Sequence, residues 1–178
     1  MISINNLSVQ FTGTNLFDNV TFNINDRDRI GLVGKNGAGK STLLKIIAGL
    51  QQPETGTIIV AKDQTIGYLP QEASVFRKMS VEDNIRSVLE MTDFTKEYQQ
   101  EKLEQLIKEF NLGHVRKNLG DRLSGGERRR TEIARSLALE PKFLLLDEPF
   151  AGIDPIAVAD IKTMIRLLAK RGIGILIT

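Results

Sequence analysis

The sequence predicts an α/β fold with a mostly parallel sheet as its core. Two apolar stretches typical of buried strands, residues 29–34 and 143–146, each lead towards a segment with helical spacing of apolar residues. Residues 2–11 alternate apolar and polar side chains and predict an antiparallel β subdomain ahead of this core. Residues 73–122 are helical in pattern, so we predict a single domain whose core, residues 1–72 and 123–178, carries an inserted helical subdomain.

Composition excludes several classes of function. The 178 residues can bury a real core, and a net charge of +2 offers no global basic field for nucleic acid. With no cysteine and a single histidine, His114, the chain has no disulfide, no thiolate metal site and no histidine-built metal centre. The longest apolar runs fall far short of the ~20 residues that a membrane span needs. We therefore expect a soluble protein that meets a membrane only through a partner.

The elements follow one another with clear helical or strand patterns. Residues 40–50 predict a helix that ends at Gly49, residues 56–70 predict a pair of strands, and residues 173–178 predict a last strand. Apolar stripes at helical spacing predict packing faces rather than binding sites. These stripes comprise Leu43, Leu44 and Ile47 in the first helix, Leu103, Leu106, Ile107 and Phe110 in the helical subdomain (residues 73–122, also called the lobe), and Ile161, Met164, Ile165 and Leu168 near the end of the chain.

The segment GKNGAGKS predicts a phosphate-binding loop. It fits G-x-x-x-x-G-K-[ST] between a predicted strand and a predicted helix, which is the context that the motif requires. Its backbone N–H groups and the helix N-terminus favour phosphate, Lys40 would bridge the phosphates, and Ser41 would hold Mg²⁺. A bare glycine-rich turn and a dinucleotide fingerprint are the alternatives, and the Lys-Ser pair disfavours the second. The predicted nucleotide-binding residues here are Gly34, Lys35, Asn36, Gly37, Ala38, Gly39, Lys40, Ser41 and Thr42.

Two carboxylates follow the apolar run FLLL. Asp147, at the end of this predicted strand, would complete the shell of the Mg²⁺ ion. Glu148 would polarise the attacking water as general base, a role worth ~10²–10⁴ in rate. Two acidic residues that merely end a strand are the alternative, and the phosphate loop upstream makes that reading weak.

The segment LSGGERRR places two glycines at the start of a predicted helix. Glycine loses the most backbone freedom on ordering, so the pair Gly125–Gly126 predicts that another group approaches this backbone closely. For Arg128–Arg130, nucleic-acid binding is one interpretation. We favour the other, in which three arginines on this helix face a dimer partner or solvent.

Taken together, these motifs resemble those of ATP-binding cassette (ABC) ATPases over nearly the whole chain. The resemblance adds a Q-loop in YLPQE, a signature in LSGGE and a D-loop in AGID. It implies that Gln71 senses the γ-phosphate and Mg²⁺ and acts with Lys40 and Glu148 in catalysis. Phe11 stands where the family stacks an aromatic ring on adenine.

The resemblance also implies a head-to-tail homodimer that holds two ATP molecules. Ser124, Gly125, Gly126 and Glu127 of one chain would meet the γ-phosphate bound by the other, and Asp154 would cross the same interface. Each hydrogen bond to such a charged group is worth ~1.5–3 kcal/mol. The helical subdomain would contact integral membrane permease subunits, which places the protein on the cytoplasmic face of the inner membrane.

Two branches of the family are represented. Residues from about 67 onward resemble the ATP-binding subunit of lipopolysaccharide-export transporters, whereas residues 1 to about 66 resemble ABC-F translation factors, which act at the ribosome. The short spacing of 31 residues from Lys40 to Gln71 supports a possible chimera. The family's switch histidine normally follows the strand ILIT closely, and His114 cannot replace it from the lobe. We therefore expect a C-terminally truncated chain that binds ATP but hydrolyses it weakly, with a non-hydrolysing nucleotide-binding fragment as a further alternative.

Overall fold

The computed structural model describes residues 1–11, 13–62 and 64–178. Within these residues it has seven strands and five α-helices. The strands are β1 (Ile2–Phe11), β2 (Thr14–Ile24), β3 (Arg29–Gly31), β4 (Thr55–Val60), β5 (Ile66–Leu69), β6 (Phe143–Leu146) and β7 (Gly174–Ile177). The helices are α1 (Lys40–Ile47), α2 (Val81–Leu89), α3 (Lys96–Glu109), α4 (Gly125–Leu137) and α5 (Pro155–Lys170).

The N-terminal strands form the predicted antiparallel sheet. Its order is β2-β1-β4, with Ile4 opposite Phe22 on one side and Ile58 on the other. Ile2 and Ile4 of β1 are buried, and so are Leu7 and Val9, because an irregularity in the register between Ile4 and Leu7 brings both alternating pairs to the core.

The second sheet is parallel throughout and has the order β3-β7-β6-β5. Parallel strands point their carboxyl ends at one edge, so the segments that follow β3, β5 and β6 emerge side by side. The phosphate loop, the Q-loop and the Asp147–Glu148 pair are those three segments. The predicted mostly parallel core with an antiparallel subdomain is confirmed.

The pair of strands predicted over residues 56–70 forms, but its two members lie in different sheets. β4 pairs with β1, whereas β5 pairs with β6. The strand predicted over residues 29–34 is also shorter than expected and ends at Gly31. The residues that follow turn away to make the phosphate loop, a feature that apolar character alone does not reveal.

Strand β6 lies between two hydrophobic clusters. Phe143 and Leu145 pack with the first sheet and α1, whereas Leu144 and Leu146 pack with the lobe, α4 and α5. Since successive side chains of a strand point to opposite faces, this short strand joins the two halves of the core. All four of its residues are buried, as predicted for a central parallel strand.

The lobe helices α2 and α3 lie between β5 and α4 in the chain. The Ser80 hydroxyl accepts from the Asp83 backbone N–H and thereby caps α2. The predicted lobe stripe is buried, and it shares one cluster with α4 and α5, so the lobe packs directly on the core. The division into core and lobe stays a prediction. Across the described residues, the structure contains no helix of the length and apolarity that a membrane span requires.

Candidate nucleotide-binding site

The phosphate loop begins at Gly34, separated from β3 by two residues, and ends in the first turn of α1. Gly39, the residue before α1, has φ 86°, a left-handed conformation that glycine adopts without strain. A Cβ at this position would lie 2.6 Å from the Leu16 side chain and 2.7 Å from Phe17. Two side chains of β2 therefore pack against the loop and require glycine here.

The N-terminus of α1 is open to an anion. It has no side-chain cap and no acidic residue in its first turn, so its free backbone N–H groups keep their positive potential. The Lys40 ammonium donates to the carbonyl oxygens of Gly34 (3.0 Å) and Lys35 (3.1 Å), which folds the side chain back along the loop. A lysine held this way lies next to the space that phosphates would fill.

Asp147 is the buried acceptor at the centre of the site, with 2% of its surface exposed. One carboxylate oxygen accepts from the hydroxyls of Ser41 (2.9 Å) and Thr178 (3.1 Å), and the other accepts from Tyr68 (3.2 Å). Burial, together with the adjacent carboxylate, raises the pKa of the Tyr68 hydroxyl, which therefore keeps its proton and continues to donate. Three donors hold Asp147 in one orientation.

Glu148 has an uncommon backbone conformation. Its φ of 40° lies in the left-handed region, which costs a non-glycine residue on the order of 1–3 kcal/mol. The Thr178 hydroxyl accepts from the Glu148 backbone N–H at 2.7 Å, and the Gln71 side-chain amide donates to the Glu148 carboxylate at 2.8 Å. The strained turn points this carboxylate towards Gln71 and the phosphate loop.

A cavity of about 500 Å³ lies between these groups. Its volume is in the range of small-molecule sites. It is lined by Leu16, Asn36, Gly37, Gly39, Lys40, Ser41, Thr42, Gln71 and Glu148. Gly34 and Lys35 contact Lys40, and Ala38 closes the loop by donating its N–H to the Lys35 carbonyl. The side chain of Phe11, the predicted adenine-stacking residue, lies outside the described part of the structure.

Three site residues were not identified from the sequence. Leu16 lines the cavity, while Tyr68 and Thr178 orient Asp147. Tyr68 lies opposite Leu145 in the parallel register, two residues before Asp147, and a strand alignment could have suggested it. For Leu16 the sequence carries no signal, since an apolar residue in an alternating strand is usually a packing residue.

The signature segment lies apart from this cavity and caps its own helix. The Ser124 hydroxyl accepts from the Glu127 N–H (3.3 Å), and the Glu127 carboxylate accepts from the Ser124 N–H (2.8 Å) and hydroxyl (2.8 Å). This is a complete capping box. Asp154 likewise caps α5 by accepting from the Ala157 N–H at 2.9 Å. Neither segment lines the cavity of its own chain.

The two signature glycines differ in their surroundings. A Cβ on Gly126 would lie 2.7 Å from the Ala157 Cβ, so packing against α5 already requires glycine there. A Cβ on Gly125 would meet no atom closer than 3.4 Å. The fold itself therefore explains only one of the two glycines.

The interpretation of the three arginines is wrong for Arg129. This side chain is buried rather than directed to a partner or solvent, and it donates to the carbonyl oxygens of Pro70 (3.0 Å), Pro149 (3.0 Å) and Glu148 (3.3 Å). Burial lowers its pKa, opposed by the neighbouring Glu132 carboxylate. Arg128 donates to the Leu123 carbonyl, and Arg130 lies 3.9 Å from Asp160. The sequence does not show which of three adjacent arginines is buried, because the geometry of the helix decides which side chain points inward.

His114 also has a specific partner. One nitrogen of its ring lies 3.1 Å from the Glu127 carboxylate, so a residue of the lobe contacts the signature capping box. Burial alone would raise the pKa of Glu127, but hydrogen bonds from Ser124 and His114 hold it below its usual range. The sequence does not predict this pairing across the lobe boundary.

The chain is similar over most of its length to known transporter ATPases. A family model described as ABC transporter matches residues 17–151. The lipopolysaccharide export system ATP-binding protein LptB of Haemophilus influenzae is 46% identical, and the match covers 100% of this chain and 79% of that protein. LptB of Escherichia coli K12 is 44% identical, with 99% and 79% covered.

Solved structures agree with the sequence matches. CbiO1 of Clostridium perfringens, part of the ABC transporter complex CbiONQ, superimposes with a TM-score of 0.86 at 26% identity, covering 99% of this chain and 76% of that one. An ATP-binding subunit of an ABC transporter gives 0.84 at 27% identity, with 99% and 78% covered.

The fold and the cavity define a P-loop ATP-binding domain. With the family match over residues 17–151, this chain belongs to the ATP-binding subunits of the ABC transporter family. The relatives named above exceed it in length, since the chain spans about four fifths of each.

Proposed function

We propose that this chain is the ATP-hydrolysing subunit of a transporter that exports lipopolysaccharide. The observation that most supports this activity is that Lys40, Ser41, Gln71 and Glu148 line one cavity. Beside it, the Asp147 carboxylate accepts a hydrogen bond from the Ser41 hydroxyl. The cargo is inferred from the relatives of 44–46% identity, whose names specify lipopolysaccharide export.

Binding of ATP is assigned to the phosphate loop. The N–H groups at the start of α1 and the Lys40 ammonium would take the β- and γ-phosphates, because they concentrate positive potential at one end of the cavity. Asn36, Gly37 and Thr42 line the same cavity, and Leu16 adds an apolar surface to it. Phe11 is proposed to stack on the adenine.

The oxygen donors beside the loop fit Mg²⁺. Ser41 and Asp147 are already in contact, and Gln71 faces the same cavity; hydroxyl, carboxylate and amide oxygens are the ligands that this ion prefers. The described residues contain no group of three or more His, Cys, Asp or Glu arranged for a metal. When bound, Mg²⁺ neutralises charge that develops on the phosphates.

Hydrolysis is assigned to Glu148 with Gln71. The Glu148 carboxylate would take a proton from the attacking water, and Lys40 would neutralise charge on the transferred phosphoryl group. The Gln71 amide, already bonded to Glu148, would orient that carboxylate until the nucleotide arrives. The hydrogen bond from the Glu148 N–H to the Thr178 hydroxyl would hold the strained backbone of this base in place before substrate binds.

The signature is proposed to serve a second copy of this chain. Ser124, Gly125 and Gly126 do not line the cavity of their own chain, and the internal packing leaves Gly125 unexplained. Two chains placed head to tail would bring these groups, with Glu127 and Asp154, to the partner's ATP. Membrane permease subunits would bind the helical subdomain at the cytoplasmic face of the inner membrane.

Co-purification and turnover together test this proposal. We expect the tagged chain to retain membrane permease subunits and to hydrolyse ATP only with Mg²⁺. Recovery with 70S ribosomes instead would favour the translation-factor alternative and contradict transport. ATP binding without turnover in the same sample would favour the nucleotide-binding fragment.

Two finer expectations remain predictions. The match to the Haemophilus influenzae protein runs through the whole chain, including the first 66 residues, and spans 191 positions against 178 residues here. A sequencing read that crosses codons 55 to 80 of the gene without a break would argue strongly against a recombinant or misassembled junction there. The role of the switch histidine is tested by comparing turnover of this chain with that of a version extended past the strand ILIT.

A further inference from the structure

We propose that Glu132 is a positioning residue that fixes the Q-loop, defined here as residues 70–75, to the signature helix α4. The proposal rests on the proposed function in one respect, because it takes Gln71 as a residue that contacts the nucleotide. Glu132 lies on α4, about two turns after the start of that helix, and does not line the nucleotide cavity.

The Glu132 carboxylate is buried and uses both of its oxygens. Its residue surface is 2% exposed. One oxygen accepts from the backbone N–H groups of Ser74 (2.7 Å) and Val75 (3.3 Å), and the other accepts from the Arg129 guanidinium (3.0 Å). A side chain on a helix thus holds the far end of a loop that has no regular secondary structure.

Arg129 extends this connection to the near end of the loop. The same guanidinium nitrogen that bonds Glu132 also donates to the Pro70 carbonyl, the residue before Gln71. Its remaining bonds reach the carbonyls of Glu148 and Pro149. The ion pair therefore holds the loop on both sides of Gln71 and the backbone that carries Glu148.

The connection has a mechanical consequence. Gln71 is exposed and contacts Glu148 only through its side chain, so its position depends on the backbone at Pro70 and Ser74. Both backbone points are bonded to α4, and α4 begins with the signature. Any force that the signature transmits to α4 would reach Gln71 through Glu132 and Arg129, because a buried and fully bonded pair has little freedom to rearrange.

Two variants test the proposal. Glu132→Ala is avoided because it removes both acceptor oxygens and leaves a cavity in the buried position that the side chain fills. Glu132→Gln keeps the length but has one acceptor oxygen in place of two, so it cannot serve the loop and Arg129 together. Glu132→Asp keeps the charge for Arg129 but is one methylene too short to hold both. The control is Glu82→Gln, which removes another buried carboxylate, bonded to Arg86, Arg116 and Lys117 inside the lobe.

Hydrogen exchange is the first measurement. In the full chain without nucleotide, we expect the Ser74 and Val75 amides to exchange about tenfold faster in both Glu132 variants, as loss of a bond to a charged acceptor requires. In Glu82→Gln they should exchange as in the unmodified chain. Unchanged exchange in the Glu132 variants overturns the proposal.

A double-mutant cycle is the second measurement. We expect Glu132→Gln and Gln71→Ala each to lower the turnover number about tenfold, and the double variant to match Gln71→Ala within about twofold, because both changes remove the same interaction. A double variant whose loss of turnover equals the product of the two single losses would overturn the proposal. Turnover in Glu132→Gln equal to that in Glu82→Gln would overturn it too. If the unmodified chain hydrolyses no ATP, the proposed function fails, and hydrogen exchange alone then decides about Glu132.

Discussion

A glycine lies at the start of both α1 and α4, as the residue before α1 (Gly39) and as the first residue of α4 (Gly125), yet the two first turns are built in opposite ways. α1 begins after Gly39 with no side-chain cap and no acidic residue, and the nearest cation, Lys40, folds back along the loop. α4 begins after Ser124 with a complete capping box and an acidic residue, Glu127, in its first turn. One helix start is open to an anion, whereas the other is closed by its own side chains.

The difference suggests an order of binding. A phosphate that reaches α1 meets free N–H groups and need displace no side-chain cap. A phosphate that reaches α4 must compete with Glu127 for the Ser124 hydroxyl and must approach a carboxylate. We therefore expect α1 to bind nucleotide first, and α4 to contact it only when a partner chain already holds it in place.

The largest expected effect is on the rate of hydrolysis at the nucleotide cavity beside α1, with ATP binding left unchanged. Glu148→Gln removes the proposed base but keeps a side chain of the same size. Turnover should fall by ~10²–10⁴ while ATP affinity stays near that of the unmodified chain. Single-turnover hydrolysis and equilibrium ATP binding, measured on one preparation, check this. Turnover within a few-fold of the unmodified chain would show that Glu148 is not the base.

The second prediction concerns the open helix start itself. Lys40→Ala should weaken ATP binding about 100-fold, because a charge-assisted contact to the phosphates is lost. The control is Lys45→Ala, in the last turn of the same helix, which should leave affinity unchanged. Titration with a fluorescent ATP analogue measures both. Equal affinities for the two variants would place the phosphates elsewhere.

The third prediction uses the two signature glycines as a matched pair. Gly126→Ala should lower the free energy of unfolding by about 1–3 kcal/mol, because its Cβ meets Ala157 at 2.7 Å. Gly125→Ala should leave stability unchanged or raise it by up to about 1 kcal/mol, since alanine favours a helix and the space is free. Denaturant unfolding measures both changes.

The effect of Gly125→Ala on function should be large although its effect on stability is small. If α4 receives a partner's phosphate, Gly125→Ala will weaken ATP-dependent dimerisation despite its intact fold. Dimerisation equal to that of the unmodified chain would mean that no group approaches this backbone closely.

The smallest expected effect concerns the cap that closes α4. The pKa of Glu127 is lowered in the folded chain, so its stabilising contribution is present above the unfolded pKa and is lost as pH falls through the folded pKa. Glu127→Gln should keep the cap but flatten the loss of stability on acidification, by about 1 kcal/mol or less. Unfolding measured from pH 7 to pH 3 checks this, with exposed Glu72→Gln as control. Parallel curves for Glu127→Gln and the unmodified chain would contradict it.

The residues that meet at the nucleotide cavity could be predicted from the sequence, whereas the contacts between the lobe and the loops could not. The convergence of Lys40, Gln71 and Asp147 could be predicted, because each follows a parallel strand and parallel strands end at one edge. The burial of Arg129 and the contact of His114 with Glu127 could not, because they depend on how the lobe and the loops pack.

Glycine shows the limit most clearly. Both signature glycines read alike in the sequence, yet Gly126 is explained by Ala157 on another helix and Gly125 by nothing within the chain. The positive φ of Glu148 could not be predicted from the sequence either, since glutamate is not a residue that favours that conformation.

The central claim is that one chain holds ATP and a second chain completes the site. Sedimentation of the Glu148→Gln variant, with Mg²⁺ and ATP present and then with ADP, tests it most directly. We expect a dimer with ATP, a monomer with ADP, and a weaker ATP dimer when Gly125→Ala is added. A Glu148→Gln chain that binds ATP and stays monomeric at high protein concentration would contradict it.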